Sequence, residues 1–172
     1  MKKFQIALIF AGLLAGMAAV YVIRNWDPYR GIPQVTLVRL NAGETEWYAE
    51  GIQNYDALVT VAFATEQRQY EIEVRAGHLS AARYSQQDEE TGLWGPFSEA
   101  QADDAAFFTI PGIFATVRAA LFNEDVPREV LRMELDAEYS YPAKVFLGEI
   151  IEEGAPVEGT GLLIEVVGFE EK

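Results

Sequence analysis

An uninterrupted apolar segment near the N-terminus constrains the fold of this chain more than any other feature of the sequence. Residues 4–23 read FQIALIFAGLLAGMAAVYVI, in which no side chain is charged and Gln5 is the only strongly polar one. A helix of this length measures about 30 Å, the thickness of the hydrocarbon core of a bilayer. We therefore predict that residues 1–24 form a cytoplasmic tip and a transmembrane anchor.

The charges beside this segment predict its orientation. Lys2 and Lys3 precede it, and the positive-inside tendency keeps such residues in the cytoplasm. We expect a single-pass protein of the bacterial inner membrane, with Arg24 and all later residues in the periplasm or outside the cell. A cleaved signal peptide is the alternative, since Gly16-Met17-Ala18 resembles a small-x-small cleavage site. The continuation of the apolar segment to Ile23 favours retention.

Small residues recur at helical spacing within the apolar segment. In lipid, a face of small side chains lets two helix backbones approach closely. We predict that this face packs against a helix of another membrane protein, although Ala and Gly are common in any bacterial membrane segment. The face consists of Ala7, Ala11, Gly12, Ala15, Gly16 and Ala19.

The rest of the chain is strongly acidic and lacks cysteine. The formal charge of the sequence is −14, and the first 24 residues carry +3 from Lys2, Lys3 and Arg24, so residues 25–172 carry −17. Nucleic-acid binders gain affinity by neutralising phosphates with Lys and Arg, so no nucleic-acid partner is expected. The absence of cysteine excludes disulfides, Cys-based zinc sites and a thiol nucleophile.

Apolar and polar residues alternate between Tyr55 and Tyr84, which predicts a three-stranded antiparallel meander with turns at Gln67–Gln69 and Ala76-Gly77. Thr109 is a suitable cap for an amphipathic helix that continues to about residue 122. Three more strand-like runs follow, Val130–Asp136, Lys144–Ile151 and Leu162–Phe169.

Strands that are segregated from the helix predict an α+β domain. The predicted fold class is an N-terminal transmembrane helix followed by a mainly antiparallel sheet of about six strands, with one principal amphipathic helix packed on it. We expect a linker at residues 25–34 and the extracytoplasmic α+β domain at residues 35–172. Its first elements would be a strand or an extended entry at Val35–Leu40 and a short helix, capped by Asn41 and ending near Gly51.

No motif for catalysis, cofactor binding or metal binding occurs in the sequence. The acidic runs Asp88-Glu89-Glu90 and Asp103-Asp104 lack the alternate ligand spacing and central glycine of a calcium loop. The lone His78 follows a predicted turn without an evident partner. We therefore assign no catalytic residue, no cofactor and no metal site. Paired carboxylates of the glycosidase type stay open, because their separation is spatial.

One aromatic loop is a candidate interaction site. Leu93-Trp94-Gly95-Pro96-Phe97 places two large aromatic rings around Gly-Pro, directly after an acidic stretch. Exposed tryptophan is typical of the residues that dominate binding energy at protein interfaces. The partner-binding residues would be Leu93, Trp94 and Phe97. In the alternative interpretation this loop folds back over the open face of the sheet.

The order of several short motifs resembles an uncharacterised family of bacterial secreted or lipoprotein-type domains, over about residues 45–170. The motifs are Trp47, Gly51-Ile52-Gln53-Asn54-Tyr55, Ala76-Gly77-His78-Leu79, Phe108-Thr109-Ile110 leading into Ile113-Phe114, and Tyr139-Ser140-Tyr141-Pro142. The chain departs from the family pattern by lacking its pair of cysteines and by carrying Ser140 where members carry glycine. The resemblance implies an extracytoplasmic location and a fold, and it implies no activity.

These observations predict a non-catalytic, membrane-anchored accessory or interaction domain, a subunit of a bacterial membrane protein complex. The alternative is an envelope module that binds a small molecule or a basic peptide, as the acidic domain and the aromatic loop suggest. An envelope enzyme that uses carboxylates is the third hypothesis.

Overall fold

Two long helices, one short helix and nine strands make up the described part of the chain. The computed structural model describes residues 31–63, 66–123, 126, 131–148, 151–152, 155–156 and 161–172. In chain order, its elements are α1 (Leu37–Glu50), β1 (Tyr55–Phe63), β2 (Gln67–Arg75), β3 (His78–Gln86), β4 (Ser98–Glu99), α2 (Ala102–Ala106), α3 (Ile110–Phe122), β5 (Arg132–Leu135), β6 (Pro142–Leu147), β7 (Ile151–Glu152), β8 (Ala155–Pro156) and β9 (Leu162–Glu171).

Seven of these strands form one sheet in the order β4-β3-β2-β1-β9-β6-β5, and every neighbouring pair is antiparallel. The last strand, β9, therefore lies between β1 and β6, in the middle of the sheet. The remaining two strands, β7 and β8, pair with each other.

One face of the sheet carries the core. Alternate residues of β1 are buried, and their partners on β2 are buried as well, as in the pair of Val59 with Tyr70 and the pair of Ala57 with Ile72. Helices α1 and α3 supply the other side of this core, for example through Leu40 and Phe114. Full burial of one such large apolar side chain stabilises the fold by about 1.5–3 kcal/mol.

The opposite face of the sheet carries ion pairs. Asp56 contacts Arg75 at 2.7 Å, Lys144 contacts Glu165 at 3.2 Å, and an arginine on β3 contacts a glutamate on β2. These side chains are partly solvent-exposed, so each pair stabilises the fold by at most about 1 kcal/mol. The hydrophobic face and the helices therefore provide most of the stability.

Helices α1 and α3 run antiparallel to each other. The guanidinium of Arg118, in the third turn of α3, contacts the side chains of Asn41 and Glu44 in α1. The start of α3, at Thr109 and Pro111, lies beside the end of α1. The end of α3 therefore lies toward the start of α1.

The predicted fold class is wrong. The main sheet has seven strands, and two helices of 14 and 13 residues replace the single principal helix. Among the described residues, no helix is long and apolar enough to cross a membrane, whereas the prediction began with a transmembrane helix. The predicted anchor and the first residues of the predicted linker lie outside the described residues, and residues Ile32–Lys172 form one compact unit.

The start of helix α1 is the largest local error, whereas its end beside Gly51 is as predicted. Its N-cap is Thr36 and not Asn41. A strand was expected at Val35–Leu40, because apolar and β-branched residues dominate that segment. Instead, the side chain of Thr36 accepts a hydrogen bond from the N–H of Arg39 at 3.2 Å and caps a helix that begins at Leu37. The i, i+3 and i+7 side of this helix is buried, at Leu40, Gly43 and Trp47. Tertiary packing of that side outweighs the local strand preference.

Several expected elements are confirmed. Helix α3 has Thr109 as its N-cap and ends at Phe122. The meander has its second turn at Ala76-Gly77, but Gln67–Gln69 lie within β2 and not in a turn. The three late strands occur close to their predicted positions, at β5, β6 and β9.

Candidate functional site

A cleft of about 510 Å³ lies at one end of the domain. Its walls come from the end of α1, the turn between β2 and β3, and the start of α3. Cavities that bind small molecules typically measure about 300–1,000 Å³. The cleft is therefore large enough for a small organic molecule or for a side chain of a partner.

Backbone hydrogen bonds hold the walls together. The loop after α1 is joined to the β2–β3 turn, because the N–H of Gly77 donates to the carbonyl of Gln53 at 2.8 Å and the N–H of Ala76 donates to the Asn54 side chain at 2.9 Å. Helix α1 ends at Gly51, whose positive φ of 69° turns the chain into this loop. This wall of the cleft is therefore formed before any ligand arrives.

Aromatic side chains form the interior of the cleft. Trp47 and Tyr55 are both almost fully buried, and their rings meet edge to face with centroids 5.7 Å apart. Edge-to-face packing of this kind adds about 0.5–1.5 kcal/mol beyond the burial of area. Tyr48 lies on the same wall, and its side chain is 60% exposed. The cleft thus has a rigid aromatic base and one accessible ring.

The hydroxyl of Tyr55, a residue that lines the cleft, is hydrogen-bonded to the start of α3. Its oxygen accepts a hydrogen bond from the backbone N–H of Ile110 at 3.0 Å. Burial raises the pKa of this hydroxyl to about 12, although the hydrogen bond from Ile110 lowers the pKa by a smaller amount. Tyr55 therefore keeps its proton at neutral pH. Since a phenol is both an acceptor and a donor, the proton is left to donate to an acceptor.

The start of α3 does not offer an anion site. The N–H of Ile110 is bonded to Tyr55, Pro111 has no N–H, and the N–H of Gly112 donates to the hydroxyl of Thr109 at 3.1 Å. The next N–H is bonded to the carbonyl of Thr109. A helix N-terminus binds anions through free N–H groups. None is free in the first turn of this helix.

The charge of the cleft sets it apart from the rest of the domain. Among the described residues that line it, none is Asp, Glu, Lys or Arg, and His78 at the rim is the one imidazole. Burial of an ion without a partner of opposite charge is costly. The lining therefore favours an uncharged ligand that presents apolar surface and a hydrogen-bond acceptor.

A second groove, on the open face of the sheet, carries carboxylates. It is lined by Asp56, Glu71, Glu73 and Glu170 together with Arg83. Each of these carboxylates is in an ion pair with Arg or Lys. Burial acts to raise the pKa of Asp56, but hydrogen bonds from Arg75 and Lys172 hold this pKa below its usual value. A carboxyl group with a lowered pKa, such as that of Asp56, is a poor general acid at neutral pH.

The aromatic loop predicted from the sequence lies away from the cleft, at the other end of β3. Leu93 is 69% exposed and Trp94 is 38% exposed. The loop is attached to β3 by its backbone, since the hydroxyl of Ser85 donates to the carbonyl of Gly95 at 2.7 Å. Phe97 is half-buried below the guanidinium of Arg83. The structure thus does not bring these three side chains to the cleft.

The other sequence-based sites have mixed outcomes. The small-residue face from Ala7 to Ala19 lies outside the described residues, so it stays a prediction. The side chain of Asp88 accepts hydrogen bonds from the backbone N–H and the hydroxyl of Thr91, which lower its pKa and organise a turn. Within the described ranges, no group of three or more His, Asp or Glu side chains is arranged to hold a metal ion.

Sequence reasoning did not identify the cleft. Its residues come from segments that are more than 50 positions apart, between Trp47 and Pro111. One available signal was Tyr55, since a tyrosine on the buried face of a strand requires a partner for its hydroxyl. His78 was assigned to water at a turn, and it is indeed exposed, but that turn forms the rim of the cleft.

Comparisons with known proteins add no relative. No protein-family model matches the sequence, and no curated protein matches it. The fold and the cleft therefore define the class of protein by themselves, as a helix-covered antiparallel sheet with a neutral aromatic cleft. The resemblance to a family of secreted or lipoprotein-type domains stays a prediction.

Proposed function

We propose that the chain is a non-catalytic binding domain of the bacterial envelope that takes an uncharged organic group into the cleft beside Tyr55. The observation that carries this proposal is a preformed aromatic cleft lined by no Asp, Glu, Lys or Arg side chain, in a domain whose sequence is highly charged. The ligand would be a neutral small molecule or a neutral part of a larger partner.

The cleft would bind such a group in two ways. The accessible ring of Tyr48 and the base around Trp47 remove apolar surface of the ligand from water, at about 25 cal/mol per Å². The hydroxyl proton of Tyr55 donates to a carbonyl or ether oxygen of the ligand. A buried hydrogen bond of this kind contributes modestly to affinity, but it discriminates strongly against ligands that lack the acceptor.

The setting that we propose is the outer surface of the cytoplasmic membrane. Support comes from the sequence alone, from the apolar residues 4–23 and the lysines before them. We also propose that the domain is an accessory subunit of a membrane protein complex, through the small-residue face that includes Gly12 and Gly16. Co-purification of the full chain in mild detergent tests this second part. Loss of a partner after Gly12→Ile and Gly16→Ile would support it, and recovery of the isolated chain alone would contradict it.

A series of three probes of similar shape tests the cleft. Benzamide is neutral, benzoate is anionic and benzylammonium is cationic. Binding to the full chain in detergent is measured by ligand-observed NMR and by the shift of the melting temperature. We expect benzamide to bind at least tenfold more tightly than either charged probe, because only benzamide avoids the burial of an uncompensated charge.

Two variants locate the binding. Tyr55→Phe removes the hydroxyl and keeps the ring, so it should weaken benzamide binding at least fivefold. Trp94→Ala removes an exposed aromatic side chain at the other end of β3 and should leave binding unchanged. Equal loss in both variants would contradict the assignment of the cleft.

The cationic probe also tests the alternative hypothesis of a basic ligand. That hypothesis is motivated by the charge of −17 on residues 25–172. Preferential binding of benzylammonium would contradict the neutral class that we propose. It would instead favour recognition of a basic peptide.

A further inference from the structure

One end of the helix pair formed by α1 and α3 exposes large apolar side chains. At the start of α1, Leu37 is 42% exposed and Val38 is 81% exposed. At the end of α3, Phe122 is 65% exposed. Single apolar residues are common on protein surfaces, so the number of these three does not require an explanation. Their position at one end of the helix pair does require one.

The three side chains lie toward the same end of the helix pair. Helices α1 and α3 are antiparallel, because Arg118 contacts Glu44 and because the start of α3 lies beside the end of α1. The first turn of α1 and the last turn of α3 are therefore neighbours. We name the side chains of Leu37, Val38 and Phe122 the apolar end.

The charge around the apolar end differs from that of the domain. The first turn of α1 contains no acidic residue and does contain Arg39. The last turn of α3, residues 119–122, reads AALF and is uncharged. Glu124 and Asp125 follow α3 in the sequence, outside the described residues. The two helical turns thus present almost no negative charge in a chain whose total is −14.

The sequence before α1 limits how far the domain can lie from the apolar segment. Thirteen residues separate Ile23 from Leu37. A fully extended chain spans about 3.3–3.6 Å per residue, so this interval reaches at most about 50 Å. It contains Arg24 and Arg30 against a single acidic residue, Asp27. The domain begins before α1, since the backbone of Pro33 and Val35 pairs with residues 131–133 and Ile32 is buried. If residues 4–23 lie in a bilayer, this entry segment and the start of α1 that follows it are the part of the domain tied most closely to the lipid.

We infer that the apolar end rests on the lipid surface, with Val38 and Phe122 in the interfacial region of the bilayer. This inference depends on the proposed membrane attachment. Apolar side chains gain free energy on entering the interface, and Arg39 is suited to the phosphate level at its edge. Such contact would orient the domain, with the cleft at the opposite end of the helix pair facing away from the membrane.

The absence of cysteine makes the orientation measurable with single labels. Val38→Cys and Phe122→Cys place one thiol each at the apolar end. Val167→Cys is the matched control, since Val167 is an exposed apolar residue on β9. Each full-length variant is labelled with an NBD fluorophore and reconstituted into phosphatidylcholine vesicles, with and without phosphatidylglycerol. A nitroxide on the upper part of the acyl chain serves as the quencher.

We expect quenching at positions 38 and 122 to exceed that at position 167 at least twofold, with emission shifted to shorter wavelength. The effect should occur in both lipid compositions, because it arises from apolar burial. Equal quenching at all three positions would overturn the inference. Shielding of position 38 without quenching by lipid would also overturn it, and would indicate a protein partner instead.

Flotation of the vesicles separates this inference from the proposed attachment. If the chain does not float with the vesicles, the membrane attachment fails and the inference fails with it. If the chain floats while the labels at positions 38 and 122 stay in water, only the lipid contact fails. The proposed binding by the cleft is unaffected in either case, since it is measured in detergent.

Discussion

The hydroxyl oxygen of Tyr55 accepts a hydrogen bond from the backbone N–H of Ile110, 55 positions further along the chain, at 3.0 Å. This contact joins the first residue of β1 to the first residue of α3. It also satisfies one of the N–H groups that every helix leaves without an internal partner. A residue that lines the cleft thus also supports the fold through its hydroxyl.

Replacement of Tyr55 by Phe should destabilise the domain. The ring remains, but the buried N–H of Ile110 loses its acceptor, which costs about 1–3 kcal/mol. Chemical denaturation followed by tryptophan fluorescence measures the change. Tyr48→Phe is the control. The Tyr48 side chain is mostly exposed, so this substitution should change the free energy of unfolding by less than about 0.5 kcal/mol. Equal stability of the two variants would show that the hydrogen bond contributes nothing.

The stability of the domain should fall steeply in alkali. Burial raises the pKa of Tyr55 to about 12, and burial together with Asp136 raises that of Tyr141 to about 12. In the unfolded chain a tyrosine ionises near pH 10. The folded state therefore holds protons that the unfolded state releases, so the stability is fully present below about pH 10 and is lost as the pH rises toward 12.

The matched measurement compares the wild type with Tyr55→Phe from pH 7 to pH 11.5. The wild type should lose about 2 kcal/mol more than the variant between pH 10 and 11.5, since each pH unit between the two pKa values changes the free energy by about 1.4 kcal/mol. Parallel pH profiles would contradict the raised pKa of Tyr55.

Replacement of Ser140 by glycine should leave the domain more stable than replacement by alanine. Its φ of 57° lies in the left-handed region, which costs a residue with a Cβ about 1 kcal/mol or more. The hydroxyl of Ser140 donates to the carboxylate of Glu46 at 2.7 Å, and both substitutions remove this bond. We expect the free energy of unfolding of Ser140→Gly to exceed that of Ser140→Ala by about 1 kcal/mol, as measured by thermal or chemical denaturation. The reverse order would show that the turn has a different backbone conformation in solution.

Gly112→Ala should destabilise the junction between α2 and α3. A Cβ at this position would lie 2.0 Å from the carbonyl oxygen of Ala106 and 2.9 Å from the carbonyl carbon of Phe107. Backbone atoms cannot move aside as a flexible side chain can, so we expect a loss of about 2 kcal/mol or more. Gly31→Ala, where a Cβ would meet nothing within 4 Å, should cost less than about 0.5 kcal/mol. Melting temperatures of the two variants test the difference.

The parts of the fold that follow from local patterns were predictable. The alternation on β1 and β2 identified the buried face, and Thr109 identified the start of α3, because both signals act between near neighbours. The start of α1 was not predictable in this way. Its first four residues, Leu37–Leu40, fit a strand as well as a helix, and only the packing of Leu40 and Trp47 against the sheet decides between them.

The site depended even more on tertiary structure. The pattern at residues 93–97 drew attention to exposed aromatic side chains, while the cleft is built from three segments that the sequence does not relate to one another. Ser140, which stands where the resemblance predicts glycine, adopts a positive φ. The same motif gave no indication of the cleft, which lies around Tyr48 and Tyr55.

The central position of β9 affects how this protein can be made. Strand β1 pairs on one side with β2, which is synthesised directly after it, and on the other side with β9, which follows all the other described strands in the chain. During synthesis, this edge of β1 therefore stays open until residues 162–171 have emerged. Open edges invite pairing between chains. A chaperone that holds the nascent chain over this interval would protect this protein more than it would protect a domain whose strands pair in sequence order.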